Sequence, residues 1–158
     1  MTAAIYAIGI GSNRRGRHGS PVAEVRAAIA TLGTVIARSP VITSAPLGPS
    51  IRRFANAVVL IETMESPLAL LDRLKAIEVA FGRRRGQRWG ARVIDLDILL
   101  WSGGVWRDDR LTVPHAGLRT RSFVLTPLAT IAPAWRDPVS GRTMRQLAHA
   151  VDRPRARP

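Results

Sequence analysis

Asp95 and Asp97 stand one residue apart in the run Arg88-Trp-Gly-Ala-Arg-Val-Ile-Asp-Leu-Asp-Ile-Leu-Leu-Trp101, which is otherwise apolar beyond Arg92. In an extended strand residues i and i+2 share a face, so the two carboxylates project together while Leu96 and Ile98 turn the other way. A rise of ~3.3 Å per residue sets their Cα atoms roughly 6–7 Å apart. That spacing lets two carboxylates share a pair of divalent ions, which lie about 3.5–4 Å apart in two-metal sites. Mg²⁺ suits the donor set, because it accepts one or two carboxylates, keeps several waters and fills its shell with substrate phosphates. Just upstream, Arg83, Arg84, Arg85, Arg88 and Arg92 alternate with Gly82, Gly86 and Gly90. Such a segment reads as a lid whose guanidinium groups reach phosphate oxygens. Carboxylate-held metal plus arginines are the parts phosphoryl transfer requires, since positioning and charge neutralisation do most of its work.

Each part also has a plainer reading. Alternating aspartates are harmless on an edge strand with one solvated face, although Asp is a poor strand former and like charges on one face repel. The arginine loop would serve equally as solvated surface or as a contact to nucleic acid.

The elements that must carry these residues are well punctuated. Ala3 to Ile10 reads as a short buried strand ending at Gly11-Ser12-Asn13, followed by the Arg- and Gly-rich loop that contains His18. Ser20-Pro21 and Ser66-Pro67 each place a serine N-cap before a proline at the first helical position. Val22, Val25, Ile29 and Leu32 recur at helical spacing and Gly33 closes the first helix; Leu70, Leu74, Ile77 and Phe81 do the same for the second, which ends at Gly82. Thr34 to Ser44 is β-rich, Ala45 to Pro49 is a Pro/Gly loop, Phe54 to Glu62 is a strand and Ile94 to Trp101 is the aspartate strand. A turn at Asp108-Asp109 and a helix over Ser122 to Ile131 follow. The order β-α-β-β-α-β predicts an α+β, ferredoxin-like plait: a mainly antiparallel sheet with helices on one face and a C-terminal helical extension. Residues 1–151 read as one domain, and residues 152–158 as a disordered Pro/Arg-rich tail.

The bulk composition narrows the chemistry. With 158 residues the chain is long enough for a substantial core. It contains no cysteine, which excludes disulfides, thiolate metal sites and cysteine nucleophiles. No apolar run approaches the ~20 residues of a membrane span and no signal peptide is evident, so a cytoplasmic protein without a membrane partner is expected. The net charge of +13 is almost wholly arginine, which suits an anionic partner but also fits a general compositional bias. Lys75 is the only lysine and precedes Ala76, which rules out a Walker A loop.

Gly11-Ser-Asn13, Pro46-Leu-Gly-Pro49, Phe54-Ala-Asn56-Ala-Val58, Gly82-Arg-Arg-Arg85, Arg88-Trp-Gly-Ala-Arg92-Val-Ile-Asp95-Leu-Asp97 and Val113-Pro-His115 occur in this order. Together they closely resemble the 6-hydroxymethyl-7,8-dihydropterin pyrophosphokinase family, from Ala3 to about Leu147. The resemblance implies transfer of the pyrophosphoryl group of ATP to the hydroxymethyl oxygen of the pterin, with release of AMP, in folate biosynthesis. It implies a monomer that needs no nucleic acid. Asp95 and Asp97 would hold two Mg²⁺ ions, and Arg83 and Arg92 would stabilise charge on the triphosphate. Arg85, Arg88 and Trp89 would ride on the lid, with Trp89 touching both substrates. His115 and Arg121 would meet phosphate, while Lys75, Glu78, Ile98, Arg110 and Thr112 would line the nucleotide side. Phe54 and Phe123 would stack on the two faces of the pterin, a geometry suited to a flat heteroaromatic ring. Asn56 would read its amide edge by donating and accepting, and Ser44, Ala45 and Leu47 would add backbone contacts. Without the resemblance, Phe54 and Phe123 would read as core residues and His115 as a turn histidine.

Ser44-Ala45, Lys75 and Ala116 depart from the family's commoner Thr-Pro, amide and aromatic residues. Two other functions compete. A ferredoxin-like plait with this charge also suits a nucleic-acid-binding module, but no RNP-type aromatic strand is present. A two-metal nucleotidyltransferase would use the same carboxylates and release pyrophosphate in place of AMP.

Overall fold

The computed structural model describes residues 2–44, 54–82 and 92–152. Its central sheet is built from β1 (Ala4–Ser12), β2 (Thr34–Arg38), β3 (Ile42–Ser44), β4 (Phe54–Thr63) and β5 (Asp95–Trp101). The order is β2-β4-β1-β5, with β3 continuing along the edge of β4 beyond β2, and every pairing is antiparallel. Between β1 and β2 lies α1 (Pro21–Ile29); between β4 and β5 lies α2 (Pro67–Ala80). This is the expected ferredoxin-like plait, with the aspartate strand at one edge.

Local chemistry explains the boundaries. The Oγ atoms of Ser20 and Ser66 each accept a hydrogen bond from the backbone N–H three residues on, at 3.3 Å, and proline follows both. Gly82 follows the α2 C-cap with φ of +107°, a conformation that costs glycine little; the first helix instead ends at Ile29 with Ala30 as its cap, and Gly33, φ +92°, lies in the turn before β2. The single β-rich segment expected over 34–44 is two strands. Pro40 cannot donate to the ladder, and Ser39 takes over the pairing there: its N–H donates to the Val58 carbonyl and its Oγ accepts from the Val58 N–H, both at 2.9 Å.

Alternate residues of the strands enter two cores. On one face Tyr6, Ile8, Ile10, Val59, Ile61, Leu96 and Ile98 pack with Val25, Ile29 and Leu32 beside α1 and with Leu70 and Leu74 of α2. On the other, Ala7, Val58, Leu60 and Leu99 meet Val124, Leu125 and Leu128 of α3 (Ser122–Ile131) and Met144 and Leu147 of α4 (Met144–Asp152). The expectation of helices on one face alone is therefore corrected. The runs Ala57-Val-Val-Leu-Ile61 and Ile98-Leu-Leu100 are buried on both faces, as a sheet covered twice demands. Helix α4 also runs through Asp152, where the tail was expected to start; residues 153–158 lie outside the described ones. A short hairpin, β6 (Trp106–Arg107) and β7 (Thr112–Val113), packs against β5. Among the described residues, no helix is long and apolar enough to cross a membrane.

Candidate active site

The second helical layer covers only part of its face of the sheet. Past Ala7 on that face, β1 offers Gly9 and Gly11. Gly11 stands opposite Asn56 of β4 on one side and Asp95 of β5 on the other; Gly9 likewise separates Val58 from Asp97. A Cβ on Gly11 would lie 3.0 Å from Asn56 Oδ1, and one on Gly9 would lie 3.4 Å from Leu99. The floor is therefore bare backbone, and above it opens a cavity of about 370 Å³. Phe54, Asn56, Arg92, Asp95, Asp97, Arg121 and Phe123 all line it.

The strand periodicity holds at the two carboxylates. The side chains of Asp95 and Asp97 are 40% and 38% exposed, whereas Leu96 and Ile98 are 6% and 3% exposed on the opposite face. Each carboxylate faces a basic group. Arg92 Nη1 lies 3.2 Å from Asp95 Oδ1, and His115 Nε2 lies 3.7 Å from Asp97 Oδ1. The Gly117 N–H donates to His115 Nδ1 at 2.9 Å, so the neutral ring carries its proton on Nε2, directed at Asp97. His115 is itself held by its N–H, which donates at 3.0 Å to the carbonyl of Leu99, the residue at which β5 slips register against β1. A Cβ on Gly117 would lie 2.5 Å from Arg121 Nε, so glycine also clears the path of that guanidinium, which sits 5.9 Å from the Phe123 ring centroid. Phe123 is 43% exposed at the cavity wall, which removes the core-residue reading for it.

Among the described residues there is no cluster of three or more His, Asp or Glu side chains fit to hold a metal. Two half-exposed, same-face carboxylates instead match a hard cation that takes the rest of its shell from water and phosphate oxygen.

The residues expected on the nucleotide side do not line this cavity. Glu78 is buried on α2, and its Oε2 accepts the Leu96 N–H at 2.9 Å, tying α2 to β5 between the two aspartates. Lys75 is exposed on α2, Arg110 pairs with Asp72 of α2, and Thr112 is exposed on the β6–β7 hairpin. Both α2 and the hairpin pack against β5, away from the cavity lining. The Ile98 side chain belongs to the opposite core, leaving only its backbone for a ligand. Ser44 pairs with Phe54 at the end of β3. Ala45, Leu47, Arg83, Arg85, Arg88 and Trp89 lie outside the described residues.

Sequence reasoning missed Gly9, Gly11, Gly117 and the part played by Asn13, whose Oδ1 accepts the Arg92 N–H at 2.6 Å. Gly9-Ile-Gly11 within an apolar strand was the available signal, since glycine in a strand interior marks close approach of a ligand or another backbone.

Comparison with known proteins agrees with this geometry. Residues 7–133 match the family described as 7,8-dihydro-6-hydroxymethylpterin-pyrophosphokinase. A 2-amino-4-hydroxy-6-hydroxymethyldihydropteridine pyrophosphokinase of Methylorubrum extorquens is 40% identical over 147 residues, 92% of each chain. One of the same name from Pseudomonas aeruginosa is 47% identical over 117 residues, 73% of this chain and 72% of its own. Another from Synechocystis is 44% identical over 109 residues, 69% of this chain but only 56% of its own length. In three dimensions, 94% of the chain superposes on 43% of the Plasmodium falciparum HPPK-DHPS crystal structure, with a TM-score of 0.74 at 15% identity, a likeness of fold.

Proposed function

Because the chain belongs to the 7,8-dihydro-6-hydroxymethylpterin-pyrophosphokinase family, we propose that it transfers the pyrophosphoryl group of ATP to the hydroxymethyl oxygen of 6-hydroxymethyl-7,8-dihydropterin. The products are AMP and the pterin diphosphate, and the step belongs to folate biosynthesis. One observation supports this reading above the rest: a single glycine-floored cavity carries aromatic and amide groups beside Asn56 and a carboxylate–arginine set beside Asp95.

In this reading the pterin ring lies between Phe54 and Phe123, with its amide edge on Asn56. Asp95 and Asp97 would hold two Mg²⁺ ions, whose chemistry when bound would be to neutralise phosphate charge and favour loss of the hydroxyl proton. The hydroxymethyl oxygen bonds to the β-phosphorus and its proton passes to solvent, while the bond from that phosphorus to the α,β-bridging oxygen breaks and AMP leaves with the bonding pair on that oxygen. Arg92 and Arg121 offset the charge that grows on the phosphate oxygens. The Nε2–H of His115 offers a donor next to Asp97, where it can steady a phosphate oxygen. Lys75 on α2 and Arg110 and Thr112 at the hairpin, beside β5, would meet the part of the nucleotide that extends past the cavity, together with the Ile98 backbone, while Glu78 holds that strand in place. The active species is a monomer working in the cytoplasm; light scattering at 17.2 kDa would agree and a stable dimer would count against it.

The decisive assay mixes the protein with ATP, Mg²⁺ and the hydroxymethyl-dihydropterin and identifies the nucleotide product. AMP that appears only with the pterin is expected. Pyrophosphate release would point to nucleotidyl transfer, and no pterin-dependent product from folded protein would reject the proposal.

A further inference from the structure

The loop between β1 and α1, residues 13–19, carries three arginines and His18, none of which the transfer reaction uses. It also contacts a fully buried carboxylate outside the site. Glu24 of α1 is 0% exposed, and among the described residues its carboxylate bonds to His18 alone: Oε1 accepts the His18 backbone N–H at 2.6 Å and Oε2 lies 2.8 Å from His18 Nδ1. A buried carboxylate persists only where donors satisfy it. Here those donors come from the loop and not from the helix or the sheet.

From Glu24 the contacts lead to the site. Gly16 is wedged between the carboxylate and Val93: a Cβ there would lie 2.5 Å from Glu24 Oε1 and 2.6 Å from Val93 Cγ1. Gly16 and Gly19 exchange backbone hydrogen bonds at 3.1 Å, which closes the loop on itself. Asn13 holds the residue before Val93 in both directions. Its Oδ1 accepts the Arg92 N–H at 2.6 Å, and its own N–H donates to the Arg92 carbonyl at 3.1 Å. The His18 ring completes the brace from the other side by resting on Phe81 at 4.9 Å between centroids. Arg92, so framed, places Nη1 3.2 Å from Asp95.

We infer that Glu24 and His18 are positioning residues for Arg92, acting through the 13–19 loop to fix the guanidinium over Asp95. The inference rests on the pyrophosphoryl-transfer reading, in which Arg92 meets the developing charge. An arginine whose backbone is clamped loses little order on reaching the transition state. One whose backbone drifts by an ångström forfeits much of its effect.

The test is single-turnover transfer, with ATP and pterin affinities and thermal melting measured alongside, for E24A, E24Q, H18A, R92A and E24A/R92A. E24A and H18A should each slow transfer about tenfold while pterin affinity stays near wild type. E24Q, which keeps the volume and an acceptor for the His18 N–H, should recover most of the lost rate. In the R92A background, E24A should cost nothing further, a result that mere loosening of the fold does not produce. Should E24A fail to fold, H18A carries the same expectation, because His18 is partly solvent-exposed. Wild-type rates in H18A and E24A, or a double variant slowed by the full product of the two single effects, would overturn the inference. A slow R92A beside an unimpaired E24A would overturn the inference alone. A wild-type protein that forms no pterin-dependent AMP would overturn the parent reading and this one with it.

Discussion

Asp95 and Asp97 are neighbours on one face with different surroundings, an arginine at 3.2 Å and a histidine at 3.7 Å. Neither carboxylate is buried, so their removal should leave the fold alone. Asp95→Asn and Asp97→Asn are each expected to cut kcat by about 10²–10³-fold with an unchanged melting temperature; near-normal turnover in either would contradict the metal role. Gly11 offers a complementary test. An added methyl would press on Asn56 Oδ1 at 3.0 Å while fitting the strand backbone, which has no positive φ at this position. Gly11→Ala should therefore raise the pterin KM about tenfold without loss of stability, and an unchanged KM would show that the ring does not rest there. The aspartates were legible in the sequence because strand period and side-chain chemistry announce them, and Asn56 through the family resemblance. Gly9, Gly11 and Gly117 were harder to read, because they contribute by what they lack, and only the register shows what fills the space.

At the scale of elements, both serine-proline caps, the glycine stop at Gly82 and the helix Ser122–Ile131 were readable, since local spacing determines them, whereas the first helix ends at Ile29, short of Gly33. The docking of α3 and α4 on the second face was not. It depends on contacts between segments far apart in the chain, and the only local hint is a strand apolar on both sides. The connection between those helices is held by an ion pair between buried Asp137 and partly exposed Arg119. Asp137 accepts from Arg119 Nε at 2.6 Å and Nη2 at 2.9 Å, and also from Ser140 Oγ and the Val139 N–H. Burial alone would raise its pKa, but these donors outweigh it and bring the carboxyl down to about 2 from an ordinary 3.8. A lowered folded-state pKa contributes stability that is complete above the unfolded value and fades as pH falls toward 2. The contribution amounts to roughly 2 kcal/mol. In urea unfolding, Asp137→Asn should be less stable than wild type at pH 6 and should lose less stability than wild type between pH 4 and pH 2. Parallel pH profiles would refute this assignment.

For the whole molecule, the β-α-β-β-α-β order was enough to foresee the plait, because short connections and antiparallel pairing leave few alternatives. It could not apportion the net charge of +13 between function and bias. Ionic strength can. If the field of the protein draws in a polyphosphate, kcat/KM for ATP should fall several-fold as salt rises from about 0.01 to 0.15 M, where the Debye length shrinks from ~30 to ~8 Å. A flat profile would assign the arginine excess to composition.

The position of β1 between β4 and β5 has a metrical consequence. Adjacent strands keep a spacing of about 4.8 Å, so the offset from the Asn56 row to the Asp95 row is roughly two such intervals, fixed by the ladder across Gly11. The sheet is thus a ruler between the Asn56 row and the Asp95 row, graduated by backbone hydrogen bonds that no side-chain replacement can erase. In the proposed reading, substitutions at Phe54 or Asn56 would change ring recognition on β4 and leave the reach to the phosphates on β5 constant.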